Sequence, residues 1–317
     1  MKTTLFITLL LFQMLAQAAE LPGIPAFIDE MVAQHQFKRE ELELVFKRAE
    51  HRPDIIEAIS KPATLKPWPE YRATFLNVAR IEGGLNYWKR YPKALRRAEK
   101  QFGVPQEYIL AIIGVETLYG RNAGRFRTLD ALTTLAFDYP RREEFFRNEL
   151  VQYLILARQQ GFDLLSVQSS YAGALGIPQF MPSNFRKYAL DYNGNGKVDI
   201  LNEAEDAIGS VANYFKHYGW RTGEPVAMLA KVDDDKRLGS LSEMRPVLAW
   251  RVDAGVTPTG KMPAFLPPAW LLDLTMEQGK EYWLVFDNFN VIMRYNTSSF
   301  YAMSVHQLAV ALKAARR

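Results

Sequence analysis

The 317-residue chain contains no cysteine. Disulfides, thiolate metal centres, cysteine nucleophiles and a lipid-modified cysteine are excluded at once. Histidine is scarce as well: His35, His51, His217 and His306 lie far apart and in no ligand spacing. The zinc-protease helix motif, the Gly-x-Ser-x-Gly elbow and a phosphate-cradling glycine loop are all missing. A membrane-crossing helix needs about 20 consecutive apolar residues, and no stretch of the chain supplies them. Low-complexity tracts are absent too, and Phe, Trp and Tyr run through the whole sequence, which excludes extended disorder.

Charge of one sign is also in short supply. The net charge is +4, and basic pairs such as Lys38-Arg39 and Arg96-Arg97 are balanced by Glu40, Glu41 and Glu99. Such runs read as solvated helix faces. Mild basicity suits an anionic polymer, whereas nucleic acid needs a denser patch.

What is present is ample apolar material, 48% of the residues, with 13% aromatic. That supports a sizeable core and two or three subdomains. The first residues read as an address: Lys2, a short apolar run from Leu5 to Leu15, then Ala16-Gln17-Ala18 as a small-x-small cleavage site. Residues 1–18 are therefore expected to be a signal peptide, and the mature protein to be exported and soluble.

Apolar positions recur at three- and four-residue spacing over Pro25 to His51 and Tyr71 to Phe102, joined by the Pro-rich stretch Pro62 to Pro69. Helical patterns follow at Pro105–Tyr119, Leu129–Phe137, Arg142–Gln160, Glu205–His217 and Phe300–Ala314. After Trp220 the character changes. Gly and Pro become frequent, and Pro225–Val232, Val247–Val252 and Tyr282–Tyr295 read as strands. The expected division is a helical domain over 19–100 completed by 301–317, a core over 101–222 completed by 282–300, and a small β-rich subdomain over 223–281.

One helix carries an anomaly. Ile109, Ile112 and Ile113 form an apolar stripe, and Glu116 falls at i+7 of the same stripe with Gly120 as the expected cap. A charge on a buried face costs several kcal/mol unless it is paired or protonated. Burial raises a carboxyl pKa, which is what a general acid for a glycosidic oxygen requires. The alternative is a structural Glu paired with Arg121, Arg125 or Arg127. Asp130 and Asp138 are candidates for a second carboxylate, although Asp130 sits near a helix start, where capping is the usual role.

Further segments gather around this one. Gly114-Val115-Glu116-Thr117-Leu118-Tyr119-Gly120, Thr128-Leu129-Asp130-Ala131-Leu132 and Asp138-Tyr139-Pro140-Arg141-Arg142 come first. Ser170-Tyr171-Ala172-Gly173-Ala174-Leu175-Gly176, Gln179-Phe180-Met181-Pro182-Ser183 and Asp206-Ala207-Ile208-Gly209-Ser210 follow, then Arg294-Tyr295-Asn296 and Tyr301-Ala302-Met303. In this order, over roughly Tyr71 to Met303, the chain resembles the lytic murein transglycosylase B family. The resemblance implies a mainly α (α+β) fold, with a lysozyme-like core, an all-helical domain and a small β-rich domain. It implies cleavage of the β-1,4 bond between N-acetylmuramic acid and N-acetylglucosamine, leaving a 1,6-anhydro ring, with Glu116 as sole catalytic carboxylate. It also implies a periplasmic location and peptidoglycan glycan strands as the partner. A monomer is expected, with other cell-wall enzymes as candidate partners.

Sugars offer hydroxyls and apolar ring faces, so a glycan groove needs amides, hydroxyls and aromatic rings. By the resemblance, Tyr71, Ser170, Gln179, Phe180, Tyr214, Tyr295, Asn296 and Tyr301 match substrate-contacting positions. Arg141 and Arg142 are candidates for the lactyl carboxylate or the peptide stem. The glycines from Gly173 to Gly176 allow close backbone approach, either to sugar or to a neighbouring helix.

No cofactor is expected for the chemistry. A structural Ca²⁺ is expected at Asp191-Tyr192-Asn193-Gly194-Asn195-Gly196-Lys197-Val198-Asp199, the front half of an EF-hand loop. Asp191, Asn193, Asn195 and Asp199 set oxygen side chains at positions 1, 3, 5 and 9, with Gly196 at position 6, and Lys197 stands where such loops use a backbone carbonyl. Position 12 is Asn202 instead of Glu. By resemblance Asp206 closes the loop, with Glu203 and Glu205 as alternatives. The same Asn-Gly-Asn-Gly run is also a hairpin turn signal. Two rival functions remain open from sequence, a hydrolytic muramidase of the goose-lysozyme type and an inert wall-binding protein.

Overall fold

The computed structural model describes residues 21–61, 66–238, 243–260 and 266–316. The leader expected over 1–18 and part of the Pro-rich connection lie outside them. Helices α1 (Ile24–His35), α2 (Arg39–Phe46), α3 (Pro53–Ser60), α4 (Trp68–Phe75), α5 (Val78–Arg90), α6 (Pro92–Phe102) and α7 (Gln106–Thr117) come first. Proline stands in the first turn of α1, α3, α4 and α6, where its missing N–H leaves no helical bond unmade. The short pair β1 (Phe126–Arg127) and β2 (Gln168–Ser169) then brackets α8 (Thr128–Asp138) and α9 (Glu143–Gln160). Helices α10 (Pro182–Tyr188) and α11 (Ala204–His217) complete this part.

A four-stranded antiparallel sheet follows, in the order β4-β3-β6-β5, from β3 (Ala227–Val232), β4 (Val256–Pro258), β5 (Trp270–Thr275) and β6 (Lys280–Val285). It carries α12 (Val247–Ala254). The chain ends with α13 (Asp287–Met293) and α14 (Ser299–Ala315).

One expected strand is a helix, and a second is helical in its later part. Val247–Val252 reads as apolar and β-branched, yet it forms α12, because Trp250 is buried at 0% exposure and donates its indole N–H to Ala269 O at 2.9 Å. Of Tyr282–Tyr295, only the part up to Val285 is strand. From Asp287 the chain turns helical, and the buried Asn288 side chain bonds the backbone of Arg221 and Glu224. Tertiary contacts override β propensity in both segments. The strand β6 also runs past residue 281, so the sheet takes residues that the expected division gave to the core.

One hydrophobic core runs from Phe27 to Leu312 and joins the early helices, α7 to α11 and α14. A second, smaller core of Trp250, Val256, Leu271, Leu284 and Phe286 lies under the sheet. The C-terminal helix packs against α4, α5 and α7. None of the described helices is long and apolar enough to cross a membrane.

Candidate active site

Helix α7 is buried nearly all round. From Gln106 to Val115 only Tyr108 keeps partial exposure. The expected single stripe is therefore one part of a wholly buried helix, and Glu116 is a charged residue at its end. Glu116 keeps some accessible surface. Burial of its carboxyl nevertheless pushes the pKa up to about 7, partly offset by a hydrogen bond that Tyr301 Oη donates to Oε1. No other carboxylate among the described residues influences that protonation.

The structural alternative of an arginine partner does not hold. Arg127 pairs with Asp130 at 2.8 Å, and Arg125 lies over the Phe126 ring. The two candidates for a second carboxylate are engaged elsewhere. Asp130 bonds Arg127 and Glu50 N in place of capping α8, and Asp138 meets His51 at 2.7 Å.

Tyrosines surround Glu116. Tyr301 comes from the first turn of α14, Tyr71 from α4 and Tyr295 from the segment after α13. Burial raises the pKa of all three, and the charge of Glu116 adds to it. Tyr71 stacks among Trp68, Phe75 and Phe300. Tyr295 Oη donates to Pro178 O at 2.9 Å, which ties it to the segment before Gln179.

That segment is held in an unusual conformation. Gln179 has φ 53, a left-handed geometry that costs a non-glycine residue about 1–3 kcal/mol. Its Nε2 donates to Ala123 O at 3.0 Å and to Gly176 O at 2.9 Å. Gly176, at φ 67, lies so close to the backbone of Ile200 that a Cβ would meet Ile200 O at 2.4 Å. The close approach permitted here is thus to the protein's own backbone. Ser170 Oγ accepts from Ala174 N at 3.1 Å and closes the turn leading into this segment.

Phe180 and Tyr214 are buried at 1% and 2% exposure, and Tyr214 Oη is spent on Arg294 O at 2.6 Å. In this structure they pack beneath the site and offer no ring face to solvent. Asn296 is exposed beside Tyr295. Arg141 and Arg142 stand on an exposed turn before α9, where Arg142 lies over Phe145 at 4.2 Å, and no contact joins either to the Glu116 cluster.

Sequence reasoning passed over three residues that shape the end of α7. Thr117 Oγ1 donates to Ile177 O at 2.8 Å, tying the helix to the Gln179 segment. Tyr119 lies outside the helix, with both it and Leu118 left-handed at φ 62 and 51, and its hydroxyl donates to Arg80 O at 2.8 Å. The cap of α7 is Leu118, and Gly120 comes two residues later. A signal for Tyr119 existed in the pair Gly83-Gly84, since adjacent glycines within a helix imply close approach by another group.

The loop from Asp191 to Asp199 forms no hairpin. Asp191 accepts from the backbone N–H groups of Gly194, Asn195 and Gly196. Asp206, fully buried, accepts from those of Tyr192, Asn193 and Asp199. Glu203 meets the side-chain amides of both Asn193 and Asn195. Turning these two amides over would set their oxygens against Glu203, an arrangement that a cation between them stabilises. The donor set thus fits Ca²⁺. Among the described residues no three His, Asp or Glu side chains form a metal cluster, so the oxygens would come largely from amides and backbone.

A helical body that buries a carboxylic acid of raised pKa among tyrosines has what a glycan-cleaving enzyme of the single-acid type requires. The comparisons agree. The profile of the transglycosylase SLT domain family matches residues 21–310. The chain is 39% identical over 314 residues to membrane-bound lytic murein transglycosylase B of Escherichia coli, covering 96% of this chain and 86% of that one. The structure is similar to that of the Escherichia coli lytic transglycosylase Slt35 in complex with calcium, at a TM-score of 0.87 and 39% identity over 94% and 95% of the two chains. It is also similar to SltB3 of Pseudomonas aeruginosa in complex with NAG-anhNAM-pentapeptide, at a TM-score of 0.82 and 29% identity over 93% and 79%. The chain belongs to the transglycosylase SLT domain family, and it is a lytic transglycosylase.

Proposed function

We propose that this enzyme cleaves the β-1,4 bond between N-acetylmuramic acid and N-acetylglucosamine in peptidoglycan, with Glu116 as acid and then base. The observation that carries this reading is the carboxyl of Glu116, raised to about 7 by burial and bonded to Tyr301, with no second carboxylate among the described residues acting on it. Glycosidases that add water use two carboxyl groups, one as acid and one as nucleophile or base. With one, the substrate supplies the nucleophile. Glu116 protonates the departing oxygen while the substrate's N-acetyl group stabilises the sugar cation. The resulting carboxylate then takes the proton of the C6 hydroxyl as that oxygen closes the anhydro ring. Tyr301 orients the acid. Ser170, whose oxygen accepts from Ala174, keeps its O–H for the glycan, and Gln179 keeps Oε1. Tyr71, Tyr295 and Asn296 are assigned to the glycan, and Arg141 and Arg142, on their exposed turn, to the anionic stem.

We assign residues 1–18 as a cleaved leader, the periplasm as the site of action and the monomer as the active form. Residues 223–281, extended to the end of β6, form a separate lobe. Ca²⁺ binds at Asp191, Asn193, Asn195 and the carbonyl of Lys197, closed by Glu203 or Asp206. It acts as a brace, because Ile200 just after the loop accepts from Ile177 N at 2.9 Å and so supports the Gln179 segment.

Mass spectrometry of the fragments released from purified sacculi tests the reaction. Anhydro-terminated products are expected. Products heavier by one water would make the protein a muramidase, and no release by a correctly folded protein would make it a binding module.

A further inference from the structure

The end of α7 is gripped from outside the site by two residues that the reaction does not use. Arg80, on α5, donates from Nε to Gly114 O at 3.2 Å and from Nη1 to Thr74 O at 3.0 Å, and its guanidinium lies 5.1 Å from the Phe75 ring centre. Gly114 is two residues before Glu116 on α7. Thr74 and Phe75 end α4, the helix that carries Tyr71. The backbone oxygen of the same Arg80 accepts from Tyr119 Oη. Both of these guanidinium hydrogen bonds go to carbonyls at helix ends, an arrangement favoured by the helix dipole.

The Tyr119 ring fits a notch cut by three glycines. A Cβ would come within 2.9 Å of the ring at Gly83, and within 2.4 Å of its hydroxyl at Gly84 and 2.5 Å at Gly114. The two left-handed residues at 118 and 119 turn the ring back over its own helix into that notch. Three residues on, Thr117 holds the helix to Ile177. The last turn of α7 is therefore tied down at Gly114 and at Thr117, before and after Glu116 in the chain.

We propose that Arg80 and Tyr119 are positioning residues, which hold Glu116 in register with Tyr71 and Tyr301 without touching substrate. This rests on Glu116 being the catalytic acid. Arg80 ties α4, α5 and α7 together, so losing it frees the acid-bearing turn relative to Tyr71. Misplacement of a reacting group by about 1 Å costs up to roughly a hundredfold in rate.

Arg80→Met keeps the length of the side chain and removes its N–H donors, Tyr119→Phe removes one hydroxyl, and Arg80→Lys restores a single donor. Turnover of a soluble peptidoglycan oligosaccharide, circular dichroism and the pH profile are to be measured on each. For folded Arg80→Met, kcat is expected to fall about 10- to 100-fold with KM within about twofold, and Tyr119→Phe to fall less. Arg80→Lys should recover part of the loss. The alkaline limb of kcat/KM should move below the wild-type position as the carboxyl gains water. The groups facing Glu116 from the packed elements are Tyr71, Tyr295 and Tyr301, and all three titrate too high to supply that limb.

The proposal is overturned if the folded variants keep wild-type kcat and an unmoved limb, or if activity is lost only in proportion to the unfolded fraction. Should Arg80→Met not fold, Tyr119→Phe reads the same clamp through one hydroxyl. Glu116→Gln separates the two readings. If it stays active, the catalytic assignment itself falls, whereas an inactive Glu116→Gln beside fully active clamp variants sinks only the clamp.

Discussion

A carboxyl group that titrates near 7 sets opposite demands on activity and stability. The acid step needs the proton, so kcat/KM is expected to fall as pH rises through about 7. Tyr301 donates to the carboxylate and stabilises the anion, which lowers the pKa from what burial alone would give. Removing that donor in Tyr301→Phe should therefore carry the alkaline limb to higher pH and lower the rate about 10-fold or more through lost orientation. A limb that stayed in place would show that Tyr301 does not govern the acid. Glu116→Gln should abolish digestion of sacculi while changing the pH dependence of folding. The folded-state pKa, raised from 4.5, means that the stability of the neutral acid is fully present below about 4.5 and is lost as pH rises through about 7. At pH 8 the ionised buried carboxylate then costs on the order of 2–3 kcal/mol, part of its surface being solvated. Glu116→Gln is therefore expected to melt above wild type at pH 8 and close to it at pH 4. Equal melting shifts at both pH values would mean that Glu116 is already ionised without penalty.

Among the elements, those whose periodicity comes from the core were legible in the sequence. The expected helices over Leu129–Phe137, Arg142–Gln160 and Glu205–His217 appear within two residues of their bounds as α8, α9 and α11. α12 and α13 were hidden, because what makes them helical is a distant contact, Trp250 to Ala269 and Asn288 to Arg221. The site divides in the same way. Glu116 stood out as a charge among isoleucines. Arg80 did not, since its carbonyl partners leave no pattern of residue types, and Tyr119 was signalled only by the Gly83-Gly84 pair. In the Asp191–Asp199 loop the oxygen spacing was legible, and Glu203, one of the three closing candidates, meets the amides of Asn193 and Asn195. Chelator is expected to lower the melting temperature by several degrees, equivalent to about 1–3 kcal/mol for a site well above its Kd. Asp191→Ala should remove the response to added Ca²⁺ in a thermal shift assay. A wild-type melting curve unchanged between Ca²⁺ and chelator would end the calcium assignment.

At the scale of the whole molecule, two cores of unequal size carry unequal consequences. Leu308 is fully buried on α14, the helix that packs on α4, α5 and α7 and supplies Tyr301. Truncating it should cost about 2–5 kcal/mol and lower stability and activity together. Trp250 is equally buried, but in the small core under the sheet, where its neighbours include Val256, Leu271 and Phe286. Trp250→Ala removes about 3–5 kcal/mol from that core alone. If the lobe is a separate cooperative unit, hydrogen exchange should quicken across β3, β4, β5 and β6 while α7 and α14 stay protected. The sheet adjoins the main core through Val285 and Leu274, and Glu116 lies on helices that belong wholly to that core. Release of glycan fragments should accordingly remain within about twofold of wild type, as expected for distant sites whose effects do not couple. Loss of protection in α7 together with the sheet would show instead that the two cores unfold as one, and that the lobe is a structural part of the site.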